Sequence, residues 1–122
     1  MKSFFFIVGS AFCLLSVFMG AFGSHTLKPK ISEEMLDIFE VAVRYQVYHG
    51  IGLIIVAWAI SQWQNSFTTA AGWCFIGGIA VFSGSLYILS MTGIRWLGAM
   101  TPIGGLAFIA GWACLILSVF RK

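Results

Sequence analysis

With 60% hydrophobic and 9% charged residues among 122 and a mean hydropathy of +0.96, the chain lies far from the roughly one-quarter charged composition of soluble domains. The formal net charge of +3 is scattered over Lys2, Lys28, Lys30, Arg44, Arg95, Arg121 and Lys122, with no basic stripe or aromatic interleaving, which argues against nucleic acid as a partner. What remains is one integral membrane domain over residues 1–122, consumed by spans of about 20 residues that each cross a hydrocarbon core of roughly 30 Å.

The first apolar run extends from Phe4 to Gly23. Lys2 before it and Ala21-Phe22-Gly23 at its end imitate a secretory signal, but the run outlasts a signal core of roughly 7 to 15 residues, so it is read as a retained span, 4–23. Pro29 then blocks continuation of the helix. Ser32 is a good N-cap, and Glu33 and Glu34 in the first turn suit the helix dipole. From 32 to 46 the pattern is amphipathic: Glu33, Asp37, Glu40 and Arg44 fall on one face, and Met35, Phe39, Ala42 and Val43 on the other. No breaker separates this stretch from a second span, 47–63, so the amphipathic helix is expected to lead directly into it, lying in the interface or standing proud of it.

The polar bridge Gln62 to Ser66 turns the chain into a third span, 67–91. A short apolar connector follows, and Thr101-Pro102 reads as N-cap and first position of a fourth span, 102–120, with Arg121 and Lys122 ending it in water. Only helices and closed barrels satisfy the backbone in lipid, and these lengths predict an all-α, antiparallel four-helix bundle. Small residues recur at fours as Ser16, Gly20 and Ser24, as Gly72, Ala80 and Gly84, and as Ala107 and Gly111. They serve close packing within the chain or a self-association face. Cys13, Cys74 and Cys114 fall in apolar runs without metal or disulfide spacing and read as packing residues.

The polar residues converge at the loop side. His25 ends the first span there; Arg44, Tyr45, Gln46 and His49 cluster where the second enters; Ser83, Ser85 and Tyr87 climb toward it on the third, and Thr101 opens the fourth. Trp63, Trp73 and Trp112 are assigned to the opposite half, the first two as interfacial anchors. A polar residue inside a span is a functional hypothesis with a partner to name, and His25 with His49 is the pair proposed, with Tyr45 or Tyr87 as hydrogen-bond donors. Against this stands a structural reading in which the imidazoles and hydroxyls satisfy loop carbonyls and helix ends. Two histidines without a carboxylate or thiolate at that depth fall short of a zinc site, and no metal or cofactor is expected. Arg44 pairs with Glu40 one turn away or meets lipid phosphate. No catalytic signature occurs, and Thr101 to Gly105, two glycines at a helix start with no strand or lysine before them, is a weak phosphate signal.

Four ordered segments, "GAFGSH" (Gly20 to His25), "RYQVYHG" (Arg44 to Gly50), "FSGSLY" (Phe82 to Tyr87) and "TPIGG" followed by Gly111-Trp112, resemble the small, uncharacterised bacterial membrane proteins grouped as domain of unknown function 423, a family that includes the eukaryotic transmembrane protein 256. Ser24 stands where the usual family form has alanine. The resemblance implies a four-span protein of the bacterial cell (inner) membrane and supplies no reaction, ligand or catalytic residue. The expectation is therefore a non-enzymatic membrane protein that binds lipid or another small ligand through His25, Arg44, Tyr45, Gln46, His49, Ser83, Tyr87 and Thr101, within a homo-oligomer or alone. The alternatives are an assembly factor for other membrane proteins, an oligomeric transporter or channel, and a lipid- or quinone-modifying enzyme with histidine as acid or base.

Overall fold

The computed structural model describes residues 1–121; Lys122, expected to end the last helix in water, lies outside the described residues. The described residues form helices joined by short turns, without strands. The first rod is α1 (Lys2–Phe22) with a π-helical turn, Gly23–Leu27, at its end. The second is α2 (Glu33–Gln62). The third joins α3 (Ser66–Gly78) to α4 (Gly84–Thr92) through a second π-helical turn, Ile79–Ser83. The fourth is α5 (Thr101–Phe120), entered through a 3₁₀ turn, Arg95–Ala99. All four rods are long and apolar enough to cross a membrane, which gives the antiparallel four-helix membrane bundle that the hydropathy pattern predicts.

Local chemistry sets the ends. The Ser32 hydroxyl accepts from the Met35 amide at 3.2 Å and starts α2. Asn65 starts α3 with a capping box: its side chain accepts from the Phe67 and Thr68 amides while the Thr68 hydroxyl accepts from the Asn65 amide. Gly93, at φ +74°, closes α4 in the left-handed conformation that glycine adopts without a Cβ penalty. Thr101 does not cap α5. Met100 takes the N-cap position, because the 3₁₀ turn feeds straight into the helix, and the Thr101 hydroxyl sits 2.9 Å from Ser85 Oγ.

The rods pair as α1 with α2 and α3 with α5, and α2 also packs on the third rod. Lipid supplies no hydrophobic force between helices, so close approach and interdigitation decide. Gly9 of α1 meets Gly50 of α2 so closely that a Cβ at Gly9 would stand 2.5 Å from the Gly50 carbonyl. Phe5 fills the space over Gly72, and Phe75 lies against both Gly52 and Gly111. At the terminal end, Trp63 Nε1 donates to Ser118 Oγ at 2.9 Å and Asn65 Nδ2 to the Ser118 carbonyl at 3.0 Å, tying the last turn of α5 to the bridge before α3. The spacing of Gly72, Ala80 and Gly84 in the third rod does not give one face. Gly72 is buried under Phe5, whereas Ala80 is exposed and a Cβ at Gly84 would meet nothing within 4 Å, since the intervening π-helical turn changes the angular step per residue.

The amphipathic stretch is the first half of α2 and shares its axis with the second span. Glu33, Asp37, Glu40 and Arg44 are exposed, while Phe39 and Ala42 are fully buried. From Phe39 onward the stretch lies inside the bundle: the Phe39 ring sits under Gly23 of the first rod and 5.1 Å from the ring of Tyr87.

Candidate functional site

That placement moves the polar cluster. At about 1.5 Å per residue, His49 lies ~24 Å from the start of α2 and ~20 Å from its end, near the middle of that rod and away from its loop-side start. The sequence pattern misplaces it because hydropathy rises only after Gln46, whereas packing already encloses the helix from Phe39.

Two buried polar groups occupy this middle level. Gln46 bridges three rods: its Nε2 donates to the Phe12 carbonyl of α1 at 2.9 Å, and its Oε1 accepts from the Tyr87 hydroxyl of α4 at 2.6 Å. One turn away, the buried Ser83 hydroxyl donates to the Ala42 carbonyl at 2.8 Å. The π-helical turn carries Ser83 into α2, just ahead of Tyr87. A lateral groove of about 280 Å³, walled by Phe12, Leu15, Met19, Ala80 and Gly84, opens beside Gln46 and Tyr87.

His49 faces the fourth rod. Its Nδ1 lies 2.9 Å from the Tyr45 carbonyl, and its Nε2 lies 3.0 Å from Trp112 Nε1. A carbonyl only accepts and an indole N–H only donates, so the geometry assigns the neutral Nδ1–H form. The imidazole also stacks on Phe108, with centroids 3.6 Å apart and planes 8° apart. Both ring nitrogens are occupied and one face is covered. Trp112 therefore belongs with His49, because near-central positions of two antiparallel rods meet at the same level. The sequence pattern does not group Trp112 with the site; the one signal that points to it is Gly111-Trp112 among the resemblance motifs.

The eight residues named from the sequence thus separate. Gln46, Tyr87 and Ser83 gather between the first three rods, and Tyr45 stacks beside His49 toward the fourth. Thr101 meets Ser85 between the third and fourth. His25 is exposed in the first π-helical turn, and neither a hydrogen bond nor a ring contact joins it to His49. Arg44 is exposed at the loop end. There it lines a cleft of about 260 Å³ with Gly20, Gly23, Ser24, Phe39, Glu40 and Val43. Arg44 and Glu40 do not pair: among the described residues the ion pair is Arg95 with Glu34, at 2.9 Å. Among the described residues no three His, Cys, Asp or Glu side chains converge as a metal site would need, and every buried side-chain nitrogen or oxygen has a hydrogen-bond partner.

The family profile described as "Protein of unknown function (DUF423)" matches residues 19–105. The chain belongs to this family. The matched segment takes in the loop-end cleft, the Gln46 group and His49. The chain is 51% identical over 117 residues to UPF0382 membrane protein SH2409 of Staphylococcus haemolyticus, covering 96% of this chain and 95% of that protein. It is 46% identical over 117 residues to UPF0382 membrane protein SAB0533 of Staphylococcus aureus, with the same coverage. It is 43% identical over 118 residues to UPF0382 membrane protein YwdK of Bacillus subtilis, covering 96% of each. No solved structure matches significantly. These relatives are bacterial proteins named as membrane proteins, and with four membrane-length helices the family member described here is an integral bacterial membrane protein.

Proposed function

We propose that the protein is a non-enzymatic lipid-binding protein whose loop-end cleft takes a zwitterionic phospholipid headgroup. One observation carries this reading: Arg44 and Glu40 stand one helical turn apart and line the same cleft, yet form no ion pair with each other. A phosphate beside Arg44 and an ammonium beside Glu40 would complete both charges. Ser24 adds a free hydroxyl at the rim, and Phe39 and Val43 supply an apolar wall below. Arg44 opposes the first rod near Gly20, just inside the end of the span, a depth from which a long arginine side chain reaches the headgroup layer. Within the bundle, by contrast, Gln46, Tyr87 and His49 are engaged by protein partners, which supports an architectural role for the middle and a binding role for the end.

The test is native mass spectrometry of the full chain in mild detergent with phosphatidylethanolamine added. Arg44→Gln is expected to lower retention of this lipid about tenfold, within the range of a lost charge-assisted hydrogen bond, and Glu40→Gln by less. Unchanged retention in Arg44→Gln would remove the proposal. A second reading, self-assembly, is favoured by Gly77, which is exposed on the third rod and where an added Cβ would meet nothing within 4 Å. Cross-linking in membranes tests it: Gly77→Trp should abolish a cross-linked dimer if that face is the contact.

A further inference from the structure

The same α1/α2 seam opens again at its other end, and there the chemistry differs. A cleft of about 520 Å³ lies between the first turns of α1 and the last turns of α2, lined by Lys2, Ser3, Phe6, Ile7, Ile54, Ala57, Trp58 and Ser61. Its size falls within the roughly 300 to 1,000 Å³ of small-molecule sites. None of the sequence motifs touches it.

Its mouth holds donors. Among the described residues the Lys2 ammonium has no ion-pair partner, and neither the Ser3 hydroxyl nor the Trp58 indole N–H has a hydrogen-bond partner. The Ser61 hydroxyl is already spent on the Trp58 carbonyl at 2.6 Å. No acidic side chain lines the cleft. All four acidic side chains of the chain, Glu33, Glu34, Asp37 and Glu40, belong to the loop-end half of α2, the end that also carries Lys28, Lys30, Arg44 and Arg95. Among the described residues the terminal end has Lys2 and Arg121 and no acidic side chain. Below the mouth the walls are apolar, with Phe6 and Ile7 of α1 facing Ile54 and Ala57 of α2, at the depth where acyl chains begin.

We infer that this terminal-end cleft is a second lipid site, selective for an anionic phospholipid, with the phosphate held by Lys2, Ser3 and Trp58 and an acyl chain lying between Ile7 and Ile54. The donor set accounts for the selectivity. A phosphate accepts hydrogen bonds, and the mouth offers it an ammonium, an indole N–H and a hydroxyl with no acidic side chain lining it, whereas a zwitterionic head would bring an ammonium beside Lys2 with no acid to receive it. An interfacial lysine adds attraction of about fivefold in affinity for an anionic surface. Trp58 sits near the end of its span, where an amphipathic ring is favoured.

The full chain in detergent is titrated with phosphatidylglycerol, with phosphatidylcholine and with soluble glycerol phosphate, and adducts are read by native mass spectrometry. Phosphatidylglycerol should bind best. Lys2→Gln should weaken it roughly fivefold and Lys2→Arg should restore it, while Ile7→Trp, which fills the groove from an exposed position and leaves the charge in place, should weaken it as well. Lys30→Gln, which removes an exposed loop-end charge that lines neither cleft, should leave it unchanged. The inference fails if Lys2→Gln has no effect, if glycerol phosphate binds as tightly as the lipid, or if Lys30→Gln and Lys2→Gln weaken phosphatidylglycerol equally, which would mean diffuse charge attraction only. Loss of the loop-end reading would show in phosphatidylethanolamine retention instead, so the two proposals fail separately.

Discussion

Gln46 and Arg44 stand two residues apart on one helix, yet the first is sealed between the Phe12 carbonyl and the Tyr87 hydroxyl while the second lines an open cleft with no ionic partner. The same contrast separates the buried inside of the bundle from the clefts on its surface. Inside, an unsatisfied polar group costs several kcal/mol, so Gln46, Ser83 and His49 persist there by bonding to carbonyls and to the side chains of facing rods. In the surface clefts water and headgroups can satisfy a free donor, so Arg44, Lys2 and Trp58 are released for binding. A polar residue in a span is therefore not by its rarity a binding residue; what distinguishes the two kinds is whether the protein has already used its hydrogen bonds.

That contrast can be broken by substitution, since the middle should govern stability and the ends should govern bound lipid. The largest effect is expected from Gly9→Leu. Its Cβ would collide with the Gly50 carbonyl, a contact of backbone with backbone that cannot give way locally, and the loss should reach about 3 kcal/mol, the upper end of ordinary overpacking, read as a lower midpoint of denaturant unfolding in detergent. His49→Ala comes next. It removes the ring stacked on Phe108 and leaves the Trp112 indole N–H without an acceptor, for a loss of about 2 kcal/mol with lipid retention unaltered. Tyr87→Phe deletes one hydrogen bond to Gln46 and should cost about 1 kcal/mol. A double-mutant cycle with Gln46→Leu should return a coupling near 0.6 kcal/mol, as is typical between membrane helices. Arg44→Gln and Lys2→Gln should leave the unfolding midpoint where it is and change only which lipid is retained. Were they to destabilise the bundle as much as His49→Ala, the distinction between a structural middle and binding ends would collapse.

Much of this was legible before any packing was known. Ser32 and Asn65 lie where caps belong, and the alternation of Glu33, Asp37, Glu40 and Arg44 with Phe39 and Ala42 separates the wet face of α2 from the buried one. The depth of that helix was not legible. Charged residues every third or fourth position suggest an interfacial helix, but one charged face is compatible with a buried partner face, and only the contacts of Phe39 with Gly23 and Tyr87 show how far into the bundle the stretch reaches. Likewise the pairing of His49 with Trp112 links positions 63 residues apart, and no local pattern relates them. The terminal-end cleft went unnoticed because its parts, Lys2 and Trp58, come from opposite ends of an antiparallel pair.

Hydropathy, breakers and caps act over a few residues, and so the residue pattern alone settles that the chain crosses the membrane four times as helices, and where each rod starts. Which polar groups meet is a matter of register between rods, and register depends on where a glycine lets one backbone approach another and which aromatic ring fills the space. Those are contacts between distant segments, and they determine that Gln46 and His49 are closed off while Arg44 and Lys2 remain open to lipid.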